Sequence, residues 1–257
     1  MRLTIPVKKI IERYQDGESG PVIAYDAGCS KYTIYRILRR HHIKLREGRF
    51  QKRYTCKIPS KNLTPETQYW IGFILADGCI VEHQNTESTL QILLWRKDIK
   101  HLQKALRWLK CQKPIYKTSI NCSIHIGSQK LIDFLNDFGI YPRKSRTVQV
   151  DNRLQNSKHF WRGVIDGDGS IHMRGNSPVI DLGGNKKVCQ SFLNYCQHIG
   201  VDTTPNKPNH NGQSYKAVIQ GKKAEKIICN LYHTNQISLD RKQQLANEVI
   251  SHGKIIT

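Results

Sequence analysis

Two aspartates offer the clearest chemistry in the sequence. Asp77 lies near the end of Tyr69-Trp70-Ile71-Gly72-Phe73-Ile74-Leu75-Ala76-Asp77-Gly78-Cys79-Ile80, and Asp168 near the end of Phe160-Trp161-Arg162-Gly163-Val164-Ile165-Asp166-Gly167-Asp168-Gly169-Ser170-Ile171. Six of the twelve aligned positions are identical, and the acids stand 91 positions apart. That separation suits one compact α/β unit, so the chain reads as a duplicated half-domain giving one helix and one carboxylate to a shared centre. Two carboxylates brought together repel unless one is protonated or a metal neutralises them. Hard oxygen donors favour Mg²⁺, or Mn²⁺, and the last-turn carbonyls of Ala76 and Gly167, without partners inside the helix, extend the candidate oxygen set.

The residues before each acid are mostly apolar and predict buried helices. Gly72 and Ala76 in one copy, and Gly163 and Gly167 in the other, place small residues four apart on one helix face, which lets two backbones approach closely. Glycine inside a helix is otherwise unfavourable, so close contact is the reason to expect it there. Gly78 and Gly169 suit the left-handed residue that ends a helix. Each acid then falls in a last turn, where the helix dipole opposes negative charge by a few tenths to about 1 kcal/mol.

The 257 residues include 41 Lys+Arg against 20 Asp+Glu, a formal net charge of +21. So basic a chain points to a polyanionic partner, with nucleic acid leading and an anionic membrane surface as the rival. No apolar run approaches the roughly 18 residues of a spanning helix. The start, Met1-Arg2-Leu3-Thr4-Ile5-Pro6, lacks the apolar core of a secretory signal, and an intracellular protein is expected. The eight cysteines are scattered without a Cys-x-x-Cys pair, which argues against zinc and for free thiols.

Residues 1–60 hold 14 Lys+Arg and 5 Asp+Glu, nearly half of the excess charge. Helices are expected at 7–14, from Pro21 to about Ala27, and from a Ser30 cap to about His41, with Gly28-Cys29 as a tight turn. Helix, short turn with glycine, then basic helix is the helix-turn-helix order. Val22-Ile23-Ala24 and the run from Gly28 to Leu38 resemble the small helix-turn-helix domains of recombinases and transposases. Ile34, Ile37 and Leu38 would face inward, leaving Lys31, Tyr32, Thr33, Tyr35, Arg36, Arg39 and Arg40 for DNA. Residues 44–61 read as a basic linker lying along the DNA backbone.

After the first signature, strands are expected at 79–82, 89–95, 115–117 and 122–126, with helices at 98–110 and 128–138. After the second, strands fall at 170–173, 179–182, 203–207 and 215–219, with helices at 186–199, 222–232 and 239–250. The motif Asn209-His210-Asn211-Gly212 reads as a hairpin turn.

The two signatures resemble the paired motif of the LAGLIDADG homing endonucleases in their single-chain form. Trp70 to Gly78 and Trp161 to Gly169 match the nine-residue signature, and the family's essential acid falls on Asp77 and Asp168. Leu75 departs from the earlier acid of the pattern, whereas Asp166 keeps it. The resemblance implies an α+β fold of two pseudo-symmetric αββαββα half-domains at 62–150 and 151–257. Their sheets would form a DNA-binding saddle, preceded at 1–43 by the small all-α domain. It implies a monomer cutting double-stranded DNA with Mg²⁺, leaving short 3′ overhangs at a long asymmetric site. Lys144 and Lys242 stand where the family often keeps a lysine near the scissile phosphate, and a cation there offsets charge in the transition state. Gln91, Arg96, Lys117, Arg174 and Lys216 are candidate DNA contacts. Two other functions stay open at this stage: a maturase binding intron RNA, and a transcriptional regulator built on a retired nuclease. The chain begins Met1-Arg2 and ends Ile255-Ile256-Thr257, without the junction residues expected of an intein.

Overall fold

The structure, a computed structural model, describes residues 3–16, 18–45, 54, 56–59, 62–84, 87–203, 214–233 and 236–253. The chain divides into two compact units, Met1–Thr55 with Gln112–Tyr116, and Cys56–Cys111 with Lys117–Thr257.

The first unit contains α1 (Val7–Gln15), α2 (Gly20–Asp26) and α3 (Lys31–Arg40). Pro21 sits in the first turn of α2, where its missing N–H costs nothing. The Ser30 hydroxyl accepts from the Thr33 N–H at 3.2 Å and so caps α3. Gly28 turns the chain between them at φ +63°, a conformation that suits glycine. Ile10, Tyr14, Ile23, Ala24, Ala27, Ile34 and Leu38 make the core. Most of the expected linker, and the Asn209–Gly212 turn, lie outside the described residues.

The second unit begins with α4 (Pro65–Asp77), capped by Thr64, whose hydroxyl accepts from the Thr67 N–H. It continues through β1 (Gly78–Val81), β2 (Thr89–Trp95), α5 (Ile99–Trp108), β3 (Tyr116–Lys117, of which Tyr116 is counted with the first unit), β4 (Asn121–Gly127) and α6 (Gln129–Asn136). The first sheet has the order β1-β2-β4-β3. Along β2, Leu90, Ile92 and Leu94 are buried while Gln91, Leu93 and Trp95 face the other way, the period-two alternation of a half-buried strand.

The order then repeats. Helix α7 (Lys158–Asp168) leads into β5 (Gly169–Arg174), β6 (Ser177–Gly184), α8 (Lys186–His198), β7 (Tyr215–Gln220), α9 (Lys222–Tyr232) and α10 (Asp240–Gly253). The second sheet runs β5-β6-β7 among the described residues. Of the strand expected at 203–207, all but Thr203 lies outside them.

Two sequence expectations change. Gly78 and Gly169 are not left-handed: their backbones are extended, at φ −78° and −93°, because each helix passes directly into a strand without a turn. Close packing requires glycine there, since a Cβ would lie 2.6 Å from the Ile74 carbonyl oxygen or 2.9 Å from that of Asp181. The cysteines are not all free. Cys56 and Cys111 form a disulfide, brought together where the Lys57 N–H donates to the Leu109 carbonyl at 2.7 Å. No helix among the described residues is long and apolar enough to cross a membrane.

Candidate active site

Helices α4 and α7 lie side by side in the same direction, and their glycines explain how closely. A Cβ on Gly72 would overlap the Phe160 carbonyl oxygen, and one on Gly163 would overlap that of Tyr69. One turn further on, a Cβ on Gly167 would overlap that of Ala76 and lie 3.5 Å from the Asp77 carboxyl carbon. The repeated small residues therefore do what their spacing suggests, and they deliver Asp77 and Asp168 to adjoining helix ends.

The electrostatics of this end follow from that closeness. Burial, and then the neighbouring Asp168, push the Asp77 carboxyl up to about 6, against the pull of Lys242 and Lys144. Asp168 keeps an exposed face. Partial desolvation still raises its carboxyl above the usual range, opposed by the same two lysines. Sharing a site with a like charge in a partly dehydrated rim is a state that a cation relieves.

Both lysines lie here, buried beside the acids. The Lys144 ammonium donates to the Gly78 carbonyl. The Lys242 ammonium donates to the carbonyls of Ile165, Asp166 and Gly169 at 2.6, 2.7 and 2.7 Å. Each lysine thus satisfies carbonyls where a signature helix ends and places positive charge at the negative end of its dipole. Burial lowers both, Lys242 to about 8. Both ammonium groups donate to backbone carbonyls, and the carboxylates keep oxygen atoms for an ion.

That donor set suits a hard divalent cation. Two carboxylates and the last-turn carbonyls of Ala76 and Gly167 are all oxygen. No group of three or more His, Cys, Asp and Glu that could hold a metal exists among the described residues. An ion that retains several waters, as Mg²⁺ does, fits so sparse a protein shell better than one needing a full cage.

Two residues were missed as parts of this centre. Asp166 is fully buried, and its carboxylate accepts from the Tyr69 hydroxyl, the Tyr232 hydroxyl and the Leu239 N–H, each at 2.7 Å. Three donors on one carboxyl suit the ionised, acceptor-only form, although burial pushes its pKa up. Arg162, also buried, donates to the carbonyls of Leu231 at 2.8 Å and Ile237 at 2.9 Å, and to Gln236 Oε1 at 3.1 Å. The available signal was a pair of charges inside an apolar helical stretch, which requires buried partners.

The remaining candidates are dispersed. On α3, Lys31, Tyr32, Arg36, Arg39 and Arg40 are exposed, whereas Thr33 contacts the Ser30 hydroxyl at 3.1 Å and Tyr35 packs against Gly20. Gln91 lies on the outward face of β2, and Lys117 is exposed. The Arg96 guanidinium donates to the Thr118 carbonyl at 2.8 Å. Arg174 is exposed at the end of β5, and Lys216 pairs with Asp181 at 3.2 Å.

Neither a family model nor a curated protein sequence matches this chain. Solved structures do. The LAGLIDADG homing endonuclease I-GzeII in complex with its DNA target is similar at 14% identity, covering 75% of this chain and 91% of the other, with a TM-score of 0.55. I-LtrWI, a LAGLIDADG homing endonuclease bound to target DNA, is similar at 10% identity over 75% and 92%, with a TM-score of 0.52. Mesophilic variants of the homing endonuclease I-DmoI are similar at 15% identity over 73% and 100%, with a TM-score of 0.52. With mixed helices, antiparallel sheets and two signature helices in contact, the chain has the fold of the LAGLIDADG homing endonucleases.

Proposed function

We propose that this chain is a site-specific, divalent-metal-dependent DNA endonuclease of the homing type. One observation carries the reading: two equivalent carboxylates, Asp77 and Asp168, reach one place at the ends of α4 and α7, whose interface glycines permit the approach. Each acid would serve one strand, with the carbonyls of Ala76 and Gly167 beside it. A bound Mg²⁺ or Mn²⁺ would supply Lewis acidity and a water of lowered pKa. Lys144 and Lys242 hold the helix ends and set positive charge beside the acids, which helps offset charge developing on the phosphate.

The net charge of +21 supports a long phosphate-contacting footprint, and affinity should fall steeply with salt. Within the first unit, the exposed basic face of α3 suits a helix-turn-helix that lengthens the site to one side. One chain supplies both halves of the centre, so a monomer suffices. Strand-edge polar groups such as Gln91, Lys117, Arg174 and Lys216 would join the DNA interface.

The test is a randomised duplex library exposed to the protein with Mg²⁺, against Ca²⁺, followed by sequencing of the ends. Double-strand cuts at one long asymmetric site with short 3′ overhangs are expected. Specific binding without cleavage in Mg²⁺ or Mn²⁺ would overturn the nuclease reading.

A further inference from the structure

The outward faces of the two sheets differ in chemistry. In the first, β2 and β4 are antiparallel neighbours with Gln91 opposite His125, Leu93 opposite Ser123 and Trp95 opposite Asn121. The intervening residues are buried, so these six share the outer face. Leu93 is 60% exposed and Trp95 61%, and β1, β2 and β4 carry no Lys, Arg, Asp or Glu on that face. In the second sheet, the outer row has Ser170 opposite Asp181 opposite Val218. The Ser170 hydroxyl donates to Asp181 at 2.8 Å, and Lys216 pairs with the same carboxylate. The second face is polar and charged, with Val218 as its exposed apolar member.

Two large apolar side chains left in water on a strand of so basic a protein call for an apolar partner within a polyanion. In duplex DNA the major groove presents one such group, the thymine 5-methyl, and the groove admits a two-stranded β-ribbon. Spacing agrees: residues two apart on a strand are about 6.7 Å apart, equal to two base steps of about 3.4 Å. The Lys97 ammonium stands 6.0 Å from the Trp95 ring centre, so a positive charge that could meet a phosphate accompanies the ring. Asn121, opposite Trp95, is of the side-chain type that reads adenine.

From this we infer that Leu93 and Trp95 determine specificity in one half of the target by contacting the methyl groups of two thymines two base pairs apart. The second sheet reads its half through polar groups and gains nothing from thymine methyls. This rests on the endonuclease reading and sharpens it.

The experiment uses the full chain with Ca²⁺ and the duplex selected by binding from a random library. Deoxyuridine replaces each thymine in turn, removing only the methyl. Loss of one buried methyl should weaken binding about fourfold. Two positions, two steps apart and confined to one half-site, should show that loss. Leu93→Ala should erase the thymine preference at one of them and Trp95→Ala at the other. Both side chains are exposed, so an unchanged thermal midpoint is expected and confirms that the variants fold. If specific binding is found but no such pair exists, or if both variants keep the full preference, the inference fails alone. If no duplex is bound specifically, the endonuclease reading fails and this one with it.

Discussion

Around α4, the position equivalent to Arg162 is Ile71, and the position equivalent to Asp166 is Leu75, both buried. The first half surrounds its signature helix with rings: Trp70 stacks on Trp108 at 5.8 Å, and His101 meets Phe73 edge-on at 4.6 Å. The second half also buries its tryptophan, Trp161, against Phe192 at 5.3 Å. Beyond that it holds α7 to α9 and the start of α10 with a buried charge network, Arg162 and Asp166 bonding to Leu231, Tyr232, Ile237 and Leu239. What matches between the halves is the helix contact, the acid and the lysine on the helix end. What differs is the means of burial behind them. The Tyr69 hydroxyl joins the two solutions, donating to Asp166 while accepting from His101 Nε2 at 3.0 Å. The lesson is that pseudo-symmetry is needed only where the two helices meet.

Exchanging one solution for the other should break the second half first. Asp166→Leu, which installs the residue of the first half, leaves three buried donors without their acceptor and should cost on the order of 5 kcal/mol in urea unfolding. Arg162→Met strands two buried carbonyls and should cost about 3–4 kcal/mol, whereas Ile71→Met should cost less than about 1.5 kcal/mol. Similar losses for the latter pair would show that the charge network is incidental. The matched contact should respond symmetrically. Gly72→Ala and Gly163→Ala should each destabilise by about 1–3 kcal/mol despite alanine's helix preference, by amounts that agree within about 0.5 kcal/mol.

A further effect concerns pH. Burial, and then the nearby Lys104, lower His101 to about 3 from an ordinary 6.5, so the folded state holds it neutral. The unfolded chain binds the extra proton between those values. This histidine's contribution is complete above pH 6.5 and declines as pH falls toward 3. Thermal midpoints of the wild type should therefore drop more steeply from pH 7 to 4 than those of His101→Gln. Parallel curves would place the acid sensitivity elsewhere.

Local signals made much of this architecture legible. The strand-like run 89–95 matches β2 in full, the helix expected at 222–232 is α9, and Ser30 caps α3 as its position suggests. The glycine spacing foresaw the helix contact because both partners carry it within one turn. What escaped depends on distant partners. Asp166 is satisfied by Tyr232 and Leu239, 66 and 73 positions away, and the Cys56–Cys111 bond spans 55. The family resemblance singled out Lys144 and Lys242, but the carbonyls they bind depend on how each helix enters its strand. The extended Gly78 and Gly169 escaped for the same reason, since an isolated helix end with glycine favours a left-handed turn.

In the proposed function Asp77 and Asp168 are equivalent parts of one centre, each serving one strand. The most direct measurement is strand-resolved cleavage of the selected target in Mg²⁺ by Asp77→Asn, by Asp168→Asn and by the double variant. Each single variant should nick one strand, the two nicking opposite strands. The double variant should lose cleavage by at least about a thousandfold, the scale of removing a charge-stabilising group, while still binding DNA. Cutting of both strands by the double variant, or wild-type cutting of both strands by either single one, would show that the two acids do not divide the strands between them.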